Sequence, residues 1–218
     1  MKADLHVHTT WSKDGVSTPW QVIDTCIERG IRIVAISDHN EFGAYGEVKD
    51  NGKVIVIPAE EVSSAEGHII GLGIDRKIPA GLSIQDTIDA IHEAGGYAVA
   101  VHPYRWWSGL GEKNTLAYDF DCTEALNARS IPRANTLSKR LAEKIGKPVT
   151  AGSDAHSPGR IGWGYVDLPD DITTWQEAVA AIMDGKAVPH SESRHFIQTL
   201  RYGFKSISQW MMRGFKRM

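Results

Sequence analysis

Five short polar stretches carry the residues able to do chemistry. They are Asp4-Leu5-His6-Val7-His8, Ser37-Asp38-His39-Asn40, Ala59-Glu60-Glu61-Val62-Ser63, His102-Pro103 and Gly152-Ser153-Asp154-Ala155-His156. In the first, Leu5 and Val7 alternate with Asp4, His6 and His8. Alternate residues of a strand point the same way, so both imidazoles leave on one side and can hold one metal ion. Asp4 would share that side and orient a ligand. Of the nine histidines, His6, His8, His39, His68, His102 and His156 fall near the carboxylates Asp14, Asp38, Glu61 and Asp154. Imidazole with carboxylate suits Zn, Mn or Fe. So many ligands exceed what one ion needs, and two or three divalent ions sharing a bridging carboxylate are expected. His92, His190 and His195 stand apart and read as surface or structural residues.

The segments between these clusters must position them. Ser17 or Thr18 caps a helix that opens on Pro19, buries Val22, Ile23, Cys26 and Ile27, and stops at Gly30. The apolar runs Ile31 to Ile36, Val54 to Pro58, Gly67 to Gly73, Tyr97 to Val101, Asp121 to Leu126 and Val149 to Ala151 read as strands. Helices are expected from Ser83 to Gly95, from Pro132 to Gly146 and from Thr173 or Thr174 to Gly185. Strand, polar cluster and helix recur in turn, which is the pattern of a parallel α/β sheet or barrel. In such folds the site lies at the strands' C-terminal ends, where most of these histidines fall.

The chain has 218 residues, 42% hydrophobic and 23% charged, ordinary values for a globular protein. Two cysteines, Cys26 and Cys122, form no metal-type pair. The N-terminus enters a strand directly and no run of about 18 apolar residues occurs, so a cytoplasmic protein without a transmembrane segment is expected. The formal net charge is -3, and the six basic residues after Ser193, unaccompanied by an acid, leave the body at -9. In that tail Ile197, Leu200, Phe204, Ile207, Met211 and Phe215 step by three or four, one face of a helix. A basic amphipathic helix of this kind either packs on the body or makes a weak membrane-surface, partner or nucleic-acid contact. Residues 1–192 are expected as the catalytic body and 193–218 as the helical extension.

The five stretches, in this order, resemble the PHP superfamily, named for polymerase and histidinol phosphatase. With Glu124-Ala125-Leu126-Asn127 before the last of them, the chain is similar to small stand-alone members. The resemblance implies a distorted, TIM-like seven-stranded (β/α) barrel with up to three metals. By matching motifs, His6, His8, Glu61 and Asp154 would hold one ion. Glu61 would bridge to a second, held also by His68 and His102. Asp14, His39 and His156 would hold a third. The family pattern selects Glu61 over Glu60 by its distance from Ser63. Two departures stand out: Lys13 adds a residue before Asp14, and Ala59 replaces the usual Gly.

The activity implied is metal-dependent hydrolysis of a phosphate ester, with Glu61, Asp154 and His156 as catalytic residues. Phosphate also calls for arginine. Arg105, Arg129 and Arg160 follow strand-end clusters and are expected either on substrate or solvated in loops. Trp106 and Trp107 offer a surface for stacking or packing. The expected substrate is a small phosphorylated metabolite or nucleotide. The alternatives are a nuclease-like phosphodiesterase on single-stranded nucleic acid and a non-catalytic, metal-stabilised regulatory module.

Overall fold

The computed structural model describes residues 1–191. The expectations for residues 193–218 lie outside them. The elements are β1 (Lys2–Val7), α1 (Pro19–Arg29), β2 (Ile31–Ile36), α2 (Gly43–Val48), β3 (Ile55–Ser63), β4 (His68–Leu72), α3 (Ile84–Glu93), β5 (Tyr97–Ala100), α4 (Gly111–Ala117), β6 (Cys122–Asn127), α5 (Pro132–Ile145), β7 (Val149–Gly152), β8 (Gly164–Asp167), α6 (Trp175–Met183) and β9 (Val188–Ser191).

Local sequence accounts for the helix ends. Thr18 and Gln21 form a capping box before Pro19, and Gly30 closes α1 in the left-handed region. Ser83 caps α3 by accepting from the Asp86 backbone N–H. Thr174 and Glu177 form a second capping box at α6. One expectation fails in α1. Its buried arc takes in Val22, Thr25 and Cys26, so Ile27 falls beyond the edge and is exposed.

The strands form one sheet in the order β7-β6-β5-β4-β3-β2-β1-β8-β9. This sheet nearly closes. Ala155, just past β7, bridges Val7 of β1 in parallel, and His8 N donates to the Ala155 carbonyl at 2.9 Å. Among the described residues the strand count is nine rather than seven. The two additional strands, β8 and β9, run antiparallel on β1 and on each other. The purely parallel expectation also fails at β4, which pairs antiparallel with β3 and β5. The turn from Ser63 to His68 is too short for a crossover, so β3 and β4 can only form a hairpin.

Side-chain parity divides the barrel. Ala3, Leu5, Ile33, Ala35, Ile57, Ala59, Val99, Val101, Cys122 and Ala151 join α6 residues Ala178, Val179 and Ile182 in one buried cluster, the barrel interior. Val22, Ile23 and Cys26 of α1 pack on Val34, Ile36 and Val56 outside the sheet. Ile84, Ile88 and Ile91 of α3 cover Val62, Ile69, Ala98 and Ala100. No described helix is long and apolar enough to cross a membrane.

Candidate metal centre

The polar residues continue the interior upward from this apolar floor. Ile57 and Ala59 face inward, so period two places Glu61 inward as well. Glu60 has the opposite parity. Its Oε2 accepts from the Ile78 N–H at 2.8 Å, and it takes no part in the cluster. The choice of Glu61 over Glu60 thus has a geometric basis independent of any motif.

Three other strand ends do not obey simple alternation. In β1, Ala3 and Leu5 face inward but Val7 packs outside with α1. Asp4 pairs with Val34 and Val7 with Ile36, so β1 carries one extra residue there, a β-bulge. Above the bulge both His6 and His8 face inward. Asp4 does not share their side as expected. Its carboxylate accepts from backbone N–H groups of Ser153 at 2.9 Å and Gly162 at 2.8 Å, tying β1 to the segments around β7 and β8. At His102 and Asp154 the device is a left-handed backbone, with φ of 29° and 50°. Non-glycine residues seldom adopt it, and at strand ends it redirects the side chain.

Glu61 is the centre of the cluster and is buried. Its Oε2 lies 3.3 Å from His6 Nε2, 3.2 Å from His8 Nε2 and 3.1 Å from His39 Nδ1. Its Oε1 lies 2.8 Å from His68 Nδ1 and 2.9 Å from His102 Nε2. Each oxygen therefore faces its own group of imidazoles, as a bridging carboxylate does. Asp154 Oδ1 is 3.5 Å from His8 Nε2 and 4.0 Å from His6 Nε2. Asp14 lies 3.0 Å from His156 Nε2 and 3.9 Å from His39 Nε2, so the additional Lys13 does not take it away from the cluster. The tight loop permits this only through Gly15, where a Cβ would lie 1.9 Å from the Thr9 carbonyl oxygen.

The charge balance is that of a cation site. Burial would raise the Glu61 carboxyl, but His39, His68 and His6 around it hold it well below the carboxylate range. Burial opposes ionisation of Asp154 too, and Arg105, His6 and Arg129 keep it strongly acidic. Burial lowers His102 to about 4 and, with His8 and Arg129 nearby, lowers His156 to about 4. Burial also acts against the charge on His8, but Asp154 and Glu61 raise it to about 9.

The donor set fits divalent ions. His8 Nε2, both ring nitrogens of His39, His102 Nδ1 and Asp14 Oδ1 are buried without hydrogen-bond partners. Four triads bring their ligand atoms within 4.8 Å of one another: His8-His39-His156, His6-His102-Asp154, His6-His8-Glu61 and His39-Glu61-His68. Eight of the nine residues expected as metal ligands fall in these triads, and the ninth, Asp14, lies beside His156.

The three arginines part ways. Arg105 Nη2 reaches Asp154 Oδ2 at 2.6 Å and Asn127 Oδ1 at 2.8 Å, and the side chain is buried. Arg129 Nη1 lies 3.2 Å from Asp154 Oδ1 and 2.8 Å from His156 Nε2. Arg160 ends a 3-10 turn, Pro158–Arg160, and its guanidinium makes no ion pair with a described residue. Two supporting acids carry more of the site than expected. Glu124 accepts from His6 Nδ1 at 3.0 Å. Asp38 accepts from Thr9 and Ser12 rather than facing the centre. Glu124 lies within β6 and Asp38 two residues past β2, and the signal for each was an acid in or just after a buried strand.

A barrel with such a centre at its C-terminal rim is the architecture of a metallohydrolase scaffold, and two family models match it. The PHP domain model matches residues 4–115 and the PHP-associated model residues 132–187. The chain belongs to the PHP family. An uncharacterised protein of Methanocaldococcus jannaschii is 31% identical over 190 residues, covering 79% of this chain and 76% of the relative. A 5'-3' exoribonuclease of Haemophilus influenzae is 29% identical over 221 residues, covering 94% of this chain and 76% of the relative. Among solved structures, a two-domain protein of Bacteroides vulgatus containing a predicted PHP-like metal-dependent phosphoesterase superposes with a TM-score of 0.71 at 16% identity, covering 94% of this chain and 69% of that one.

Proposed function

We propose that the protein is a metal-dependent phosphoric-ester hydrolase acting on a small phosphorylated metabolite or nucleotide. The observation that supports this most is the division of Glu61, one oxygen toward His6, His8 and His39 and the other toward His68 and His102. In this reading His6, His8, Glu61 and Asp154 hold one divalent ion, Glu61, His68 and His102 a second, and Asp14, His39 and His156 a third. Bound Mn, Zn or Fe would supply a hydrolytic water of lowered pKa and neutralise charge on a phosphoryl oxygen.

The chain's own groups do the remainder. Glu61 and Asp154 carry the negative charge that gathers cations, and burial removes competing water. Where the third ion is absent, neutral His156, half-buried beside Asp14, is placed to accept or return a proton at a ring nitrogen. Arg129 brings a fixed positive charge beside Asp154 and His156, where it can contact a phosphate oxygen. Arg105 is spent on Asp154 and Asn127, so its part is holding Asp154. Arg160 belongs to substrate only if substrate extends past the 3-10 turn.

The test is a turnover screen of Mn- and Zn-loaded protein against phosphomonoesters, phosphodiesters and short oligonucleotides, read as phosphate or nucleotide release. Wild type should hydrolyse at least one class and Glu61→Gln none. Equal turnover by both would refute the assignment. A single-strand exonuclease is the second reading, supported by the similarity to the Haemophilus influenzae exoribonuclease over 94% of this chain. Release of mononucleotides from one end would select it.

A further inference from the structure

The proposed ligands do not account for a buried Glu124–Asn127 pair beneath them. Both residues lie on β6 and are 1% exposed. Glu124 Oε1 accepts from His6 Nδ1 at 3.0 Å, and Oε2 accepts from the His102 backbone N–H at 2.8 Å. Asn127 Nδ2 donates to both Glu124 oxygens, at 3.2 and 3.1 Å, and to Asp154 Oδ2 at 3.2 Å. Its Oδ1 accepts from Arg105 Nη2 at 2.8 Å and from the backbone N–H groups of Arg129 at 3.0 Å and Ser130 at 3.1 Å.

Every polar atom of the pair is thus engaged, and its amide can point only one way. Reversing Asn127 would set its NH2 against the Arg105 guanidinium and two N–H groups, and its oxygen against two carboxylates. Glu124 belongs to none of the ligand triads. The pair instead reaches into the site through His6 and His102 at Glu124, and through Asp154, Arg105 and the Arg129 backbone at Asn127.

We infer that Glu124 and Asn127 are positioning residues that set which nitrogen of His6 faces the cation and lock Asp154 and Arg105 to it. A carboxylate on Nδ1 fixes that nitrogen as N–H and leaves the Nε2 lone pair directed to the centre. Asn127 transmits the same constraint to Asp154. The inference rests on the metal-dependent reading above, and concerns metal binding before any turnover.

The experiment uses the full chain loaded with Zn, which is diamagnetic. Zn affinity is measured by chelator competition, and the His6 ring by long-range 1H–15N correlation, assigned with His6→Asn. In wild type the spectrum should show Nδ1–H with Nε2 metal-bound. Glu124→Gln must place an amide N–H either on His6 Nδ1 or on the His102 N–H. It should bind Zn about 10- to 100-fold more weakly, and in the first arrangement it should also lose the Nδ1–H signature. Glu124→Asp, which keeps the charge, should recover part of the affinity. Asn127→Leu, of similar volume, should weaken Zn binding while His6 keeps its tautomer, because Glu124 remains. Circular dichroism and thermal melting confirm that the variants fold.

Wild-type Zn affinity in Glu124→Gln overturns the inference alone. A wild type that takes up no Zn, Mn or Fe overturns the functional reading and the inference with it.

Discussion

Asp38 offers a sharp test of how the loop after β1 is held. Its Oδ1 accepts from Thr9 N at 2.6 Å, Ser12 Oγ at 2.7 Å and Ser12 N at 3.2 Å, and its Oδ2 accepts from Thr9 Oγ1 at 2.7 Å. Ser12 N has a second acceptor in the Thr9 carbonyl, at 3.1 Å, whereas among the described residues Asp38 alone accepts from Thr9 N. In Asp38→Ala the buried Thr9 N–H loses its partner, at about 1–3 kcal/mol, and two charge-assisted O–H bonds go at about 1 kcal/mol or more each. The expected loss is about 3–5 kcal/mol. Asp38→Asn differs in kind. Its carbonyl oxygen can keep Thr9 N and both Ser12 donors, while its NH2 meets a Thr9 hydroxyl able to accept by rotation. That loss should be about 1–2 kcal/mol. The effect should also reach the metal centre. Ser12 Oγ donates to Asp38, so it accepts from His39 N at 2.8 Å and can accept from His8 Nδ1 at 3.2 Å, leaving His8 Nε2 toward Glu61. Urea unfolding gives the stabilities, and metal analysis the second effect. An Ala variant within 1 kcal/mol of wild type, or an Asn variant as unstable as the Ala one, would refute the reasoning.

Three further predictions concern neighbouring positions. Glu61→Gln should strip activity and most bound metal while Glu60→Gln leaves both nearly unchanged, checked by elemental analysis and turnover; reversed effects would mean that the inward parity of β3 is misread. Gly152→Ala should destabilise by about 1–3 kcal/mol in thermal or urea unfolding, since a Cβ there would lie 2.2 Å from His6 Cβ; an unchanged midpoint would show that the β1–β7 seam yields freely. Burial raises Glu60 from 4.5 to about 7, so folding favours its neutral form, and the stability it contributes is present below about pH 4.5 and lost as pH rises to 7. Glu60→Gln should therefore gain on wild type over that window in unfolding curves, and a constant difference across it would exclude the linkage.

Much of this architecture was legible in sequence because its signals are local. Capping residues, Gly30 and Gly146 past helix ends, and apolar runs ending in histidine placed most elements. The unpredicted parts depend on what surrounds a residue. The turn before His68 is short enough to force a hairpin, yet the recurring βα rhythm outweighed it. Gly164–Asp167 and Val188–Ser191 are four-residue strands too short to carry a period of their own. The candidate ligands could be gathered from residue type and order, but the inward turn of His102 and Asp154 depends on backbone torsions that no alternation pattern encodes. Asp4 shows the converse: alternation put it beside His6, and the bulge moved it to the backbone of Ser153 and Gly162.

That bulge has a consequence for how the barrel can change. Below it, the inward positions of β1 are Ala3 and Leu5, and they belong to the apolar floor; above it, they are His6 and His8. The left-handed turns at His102 and Asp154 make the same break on β5 and past β7. The barrel is therefore built in two storeys whose side-chain phases are set separately. Residues on the upper storey can be exchanged without reordering the lower one. Regular alternation continued upward from Ala3 and Leu5, without the bulge, would do the opposite, keeping the composition while turning both imidazoles out of the chamber.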